Sequence, residues 1–94
     1  MYARVVRFTD ATPEQINAVV SRVEESDGPP PGVEAVGMQL MVDERQGTAV
    51  FIGFFDDEQK LRDANAILDG MDATDTPGTR ASVDVCEVKI ERTA

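Results

Sequence analysis

Histidine is absent from the sequence. That removes the general base of Ser-His-Asp and Cys-His nucleophile systems, and with it every His-ligated metal site. A single cysteine, Cys86, leaves no intrachain disulfide to form. Basic residues are scarce: nine Lys and Arg face 18 Asp and Glu, for a formal net charge of −9. Nucleic acids and anionic membrane surfaces are bound through cationic side chains that neutralise phosphates, and no basic stripe gathers the few present. Neither is an expected partner. The acidity reads as solubility through self-repulsion. Apolar runs fall far short of the roughly 20 residues that span a bilayer. No Gly-rich phosphate loop, zinc-ligand spacing or nucleophile elbow occurs. With no signal-like apolar region ahead of the strand-like run at Tyr2, a reducing cytoplasm is the expected location.

What is present is a pattern of strands and helices over 94 residues, enough for a single domain spanning 1–94. Tyr2 to Thr9 is a short β-branched run that predicts a first strand. Thr12 suits an N-cap, Pro13 the first helical position, and Gln15 the reciprocal half of a capping box. Ile16, Val19, Val20 and Val23 then form one apolar stripe, which predicts a helix from Pro13 to Ser26. The prolines and glycines of Gly28-Pro29-Pro30-Pro31-Gly32 cannot continue it.

Val36, Met38, Leu40 and Val42 alternate with Gly37, Gln39, Met41 and Asp43, giving a second strand, and a turn at Asp43–Gly47 follows. Thr48 to Phe55 returns as a third strand, apolar on both faces and therefore expected to be covered on both. Asp56 and Asp57 cap a second helix with the stripe Leu61, Ala64, Leu68 and Met71, weakening near Gly70. Arg80 to Glu91 reads as the fourth strand. Val83 and Val85 share one face and Cys86, Val88 and Ile90 the other, so a bulge or a change of packing partner is expected at Val85-Cys86.

This order is the βαββαβ split of a ferredoxin-like α+β domain. It predicts a four-stranded antiparallel sheet in the order four-one-three-two, with two helices on one face. The other face must be wet or paired. A domain this small buries only about 60–65% of its unfolded surface, so sharing apolar surface with a second copy would relieve its marginal stability.

Three stretches carry a family likeness: Met1-Tyr2-Ala3-Arg4 opening the first strand, Leu40 to Gly47 across the hairpin, and Phe54-Phe55-Asp56-Asp57-Glu58 entering the second helix. Together with the outline of Ser82 to Ile90, they resemble the antibiotic-biosynthesis-monooxygenase-like group of dimeric α+β barrels. The resemblance implies a homodimer whose two sheets close into a barrel, with a ligand cavity between each sheet and its helices. It also implies cofactor-independent monooxygenase or isomerase chemistry on an aromatic polyketide-like compound, or a non-catalytic ligand-binding or assembly role. The haem-degrading relatives use a histidine iron ligand and an asparagine in the first strand, where this chain has Arg4-Val5-Val6-Arg7. A tryptophan is common in the family where Phe54-Phe55 stands here. These departures count against haem degradation, and no cofactor is expected.

Arg4 and Arg7 are the leading candidates for ligand binding, because a guanidinium turned inward would meet an anionic or phenolate group with a fork of donors. Each has a structural alternative: pairing with Asp84 on the neighbouring strand, or snorkelling to the sheet edge. Tyr2 offers a hydroxyl to orient a substrate or an amphipathic edge residue, and Gln39 a donor to a ligand oxygen or a wet side chain. Phe51 and Phe54, with Met38, Met41 and Phe55, would line a cavity for a flat apolar molecule or serve as plain core. Cys86 is expected as a small buried hydrophobe. Asp69, Asp72 and Asp75 are spaced by three, which suggests a hard-cation cluster or, more simply, a solvated acidic patch. The expected protein is a homodimer binding a small aromatic or apolar molecule, with Arg7, Tyr2 and Gln39 as the polar equipment of any catalytic version.

Overall fold

Local chemistry sets the helix ends in the computed structural model, which describes residues 1–70 and 77–93. Helix α1 runs over Pro13–Glu25. The Thr12 hydroxyl accepts from the Gln15 backbone N–H at 3.2 Å while the Gln15 side chain accepts from the Thr12 backbone N–H at 3.0 Å, so the predicted capping box forms. Ser26 is the C-cap, directly ahead of the Gly- and Pro-rich stretch. Helix α2 covers Glu58–Asp69. Asp57 is its N-cap, accepting from the Lys60 backbone N–H at 2.8 Å, and Gly70 its C-cap.

Strands β1 (Tyr2–Thr9), β2 (Gly37–Asp43), β3 (Thr48–Phe55) and β4 (Thr79–Glu87) complete the order βαββαβ. They form one antiparallel sheet in the order β2-β3-β1-β4, the ferredoxin-like arrangement expected from the sequence. Gly47, at φ 66°, turns the β2–β3 hairpin in a conformation glycine adopts without strain.

β4 differs from expectation at both ends. Its ladder ends at Glu87, opposite Tyr2, and the Val88 N–H makes a last bond to the Met1 carbonyl at 2.9 Å. No residue of β1 remains to pair with Ile90. Val88 and Ile90 are therefore past the strand, which accounts for the apparent switch of apolar phase. The register irregularity is instead at the start of the strand: Arg7 pairs with Ser82 but Phe8 with Arg80, which leaves Ala81 as the extra residue.

Direct pairing and the pleat sort the side chains into two faces. Tyr2, Arg4, Val6 and Phe8 share the helix-facing side with Phe51, Phe55, Leu40 and Val83. Its apolar core is in two parts. Phe55, Leu61, Ala64 and Val33 pack together beneath α2, with Tyr2 against them, and Val6, Phe8 and Ala49 form the second cluster with Leu40, Phe51 and Val83. Ala3, Val5, Arg7, Val50, Ile52 and Phe54 lie on the opposite side. There Val50, Ile52 and Phe54 are only half-buried; on the helix side Ala49 and Phe55 are buried while Phe51 and Gly53 are half-buried. No helix among the described residues is long and apolar enough to cross a membrane.

Candidate functional site

Arg4 stands at the divide between the two core clusters, the one charged residue of the β1 side chains that face the helices. It is 7% exposed. A buried guanidinium must be hydrogen-bonded to be tolerated, and α2 supplies the partners. Arg4 Nε donates to Asn65 Oδ1 at 2.9 Å, and Nη2 donates to Asp69 Oδ1 at 3.1 Å. Asn65 and Asp69 are four residues apart on the helix, so both meet the same strand position. Arg80, at the start of β4, brings a second guanidinium to the same oxygen, Nη1 donating to Asp69 Oδ1 at 3.3 Å.

Burial pushes the Arg4 pKa down; the hydrogen bond and charge of Asp69 oppose that fall, and the nearby charge of Arg80 adds to it. Arginine stays protonated throughout the working range regardless. Among the described residues no buried side-chain nitrogen or oxygen lacks a partner. Arg4 also borders a cavity.

That cavity is a cleft of about 1250 Å³ between the sheet and the helices. Val6, Phe8, Leu40 and Phe51 form its floor, Val19 and Val23 of α1 its apolar wall, and Arg4, Asp69 and Arg80 one polar end. Gly53 pairs directly with Arg4 on β3 and places no side chain beside it. The Phe55 ring packs against that position, with Cε2 3.4 Å from where a Cβ would be.

The six candidate residues divide by face. Tyr2, Arg4 and Phe51 are on the helix side; Arg7, Gln39 and Phe54 are on the other. Arg7 and Gln39 are exposed there, opposite Val50 and Ile52 respectively. Tyr2 packs against the cluster beneath α2 and borders a separate hollow of about 310 Å³. Within one chain, then, Arg7, Tyr2 and Gln39 do not meet at one site.

Two structural expectations are corrected. Arg4 pairs with Asn65 and Asp69 rather than with Asp84, which is opposite Val5 on the far face. Cys86 is exposed, because β4 is an edge strand and Cys86 is on its uncovered side. Of the three spaced aspartates, Asp69 is engaged by two guanidiniums, while Asp72 and Asp75 lie outside the described residues. Among the described residues no group of three or more His, Cys, Asp and Glu side chains is placed to hold a metal ion.

Asn65, Asp69 and Arg80 were not singled out by sequence as partners of Arg4. The signal available was the polar pair Asn65 and Asp69, four apart beside the stripe of Leu61, Ala64 and Leu68. Comparison of the chain with protein-family models, with curated proteins and with solved structures finds no match.

Proposed function

We propose that the chain is a small-molecule-binding protein that holds an apolar, aromatic ligand in the cleft between sheet and helices. The observation that carries this reading is the cleft itself. An apolar floor of Val6, Phe8, Leu40 and Phe51 borders about 1250 Å³ of space in a cleft half open to solvent. Ligand pockets typically measure roughly 300–1,000 Å³, so a molecule of two or three fused rings fits with room to spare. We further propose that two copies pair through the opposite sheet face, in the manner of the antibiotic-biosynthesis-monooxygenase-like dimeric α+β barrels. Val5, Val50, Ile52 and Phe54 give that face an apolar centre, and a second copy would cover it. The binding role is favoured over oxygenase or isomerase chemistry because Arg7 and Gln39 face away from the cleft.

Equilibrium dialysis against a panel of neutral two- and three-ring phenols tests the binding role. Retention by the wild-type protein, reduced when Leu40→Trp fills the cleft, is the expected result. No retention across the panel, or retention unchanged in Leu40→Trp, would overturn it. Light scattering at micromolar concentration should give twice the chain mass of 10.2 kDa; a monomer would remove the pairing.

A further inference from the structure

Arginines gather at the cleft of a strongly acidic chain. The whole chain carries −9. Yet among the described residues three arginines, Arg4, Arg22 and Arg80, line this one cavity with the carboxylates Asp27 and Asp69. Arg4 and Arg80 share a single oxygen of Asp69, at 3.1 and 3.3 Å. Among the described residues, one carboxylate there faces two guanidiniums. Arg80 gives Nη1 to Asp69 and its side chain is 42% exposed, so a ligand can reach it. Arg4 borders the cavity from a buried position, where a charge-assisted hydrogen bond is less screened than at the surface.

From this placement we propose that the ligand is a carboxylic acid: an apolar, ring-bearing body on the Val6–Leu40–Phe51 floor, with its carboxylate received by Arg4 and Arg80 beside Asp69. The inference rests on the small-molecule-binding reading and specifies its ligand class. Planar guanidinium forks match a carboxylate better than they match a neutral amide or phenol. Asp69 acts in this scheme as an internal competitor. It holds the two arginines in the empty protein and must share them when the ligand arrives. Removing its charge should therefore strengthen acid binding, an effect that a purely structural ion pair would not produce.

Isothermal titration calorimetry with naphthalene-2-carboxylate and its uncharged partner naphthalene-2-carboxamide tests this. The carboxylate should bind about tenfold tighter, the effect of one charge-assisted hydrogen bond. Arg80→Gln should abolish most of that preference, weakening carboxylate binding more than carboxamide binding. Asp69→Asn should raise carboxylate affinity by about the same factor and so widen the preference over the carboxamide. Equal affinity for the two compounds, or a preference indifferent to both substitutions, would overturn the carboxylate assignment while leaving a neutral-ligand cleft standing. If neither compound binds and the phenol panel is also not retained, the binding role itself falls, and the carboxylate assignment with it.

Discussion

Removing Asp69 and removing Arg4 should have very different effects on stability, although the two form one ion pair. In Asp69→Ala the Arg4 guanidinium stays in place, 7% exposed, with Asn65 as its direct partner among the described residues. A hydrogen bond to a charged group contributes roughly 1.5–3 kcal/mol. The Asp69 side chain is 46% exposed, so solvent screens part of that, and the expected loss is about 1–2 kcal/mol. In Arg4→Met the buried charge disappears, its stem is replaced by a flexible apolar chain, and the desolvation cost goes with it. Exchanging a buried charge for a hydrophobe of similar volume is often neutral or stabilising. Arg4→Met should therefore lie within about 1 kcal/mol of wild type, and adding Asp69→Ala to it should cost almost nothing more. Urea denaturation followed by far-ultraviolet circular dichroism reads all four proteins of the cycle. A 1 kcal/mol change corresponds to about 4–8 °C in Tm for a domain of this size, so thermal melts provide a second reading. An unchanged Asp69→Ala would refute the claim that Asp69 compensates Arg4. An additive double mutant would show that the two residues act independently.

Leu61, 1% exposed against Phe55 and Ala64, should cost about 2–5 kcal/mol on truncation to alanine, measured as a fall in the urea midpoint. Gly78 sits at φ 85°, where an added Cβ would press on the Thr9 carbonyl and sit 2.9 Å from the Asp10 carbonyl oxygen. Gly78→Ala should therefore lose at least about 1 kcal/mol, and a variant as stable as wild type would contradict the packing of that turn on the end of β1. The Lys60 pKa is raised, first by its hydrogen bond to Asp56 and then by that residue's charge. A raised cation contributes stability that is present below its unfolded pKa, about 10.4, and is lost as the pH rises through the folded value. Lys60→Met should flatten the decline in stability on the alkaline side, read from urea midpoints at about pH 9 and 11; an unchanged slope would rule out that contribution.

Where structure depends on neighbours in sequence, it was legible. Thr12, Pro13 and Gln15 specify the start of α1 through groups three residues apart, and the alternation from Met38 to Val42 specifies β2. Strand order followed from the βαββαβ sequence of elements, since few arrangements of four short strands satisfy the connection rules. The extent of β4 was not legible, because Val88 and Ile90 have the propensity to pair and only the end of β1 denies them a partner. The polar end of the cleft was legible in part. Arg4 and Arg7 are three residues apart on β1 and so must face opposite sides, but both sides of that strand carry apolar residues. Which arginine is buried is decided by Asn65 and Asp69, more than 60 positions away, and by no pattern within the strand. The exposure of Cys86 has the same origin, since edge position is a property of the assembled sheet.

The two sheet faces differ so clearly in their methyl-bearing residues that one measurement separates the alternatives for ligand binding. Intermolecular nuclear Overhauser effects should be collected between the ring protons of a bound naphthalene compound and the protein methyl groups. Contacts to Val6, Val19 and Leu40 are expected, because these line the cleft. Contacts confined to Val50 and Ile52, on the opposite face, would place the ligand elsewhere and contradict the account.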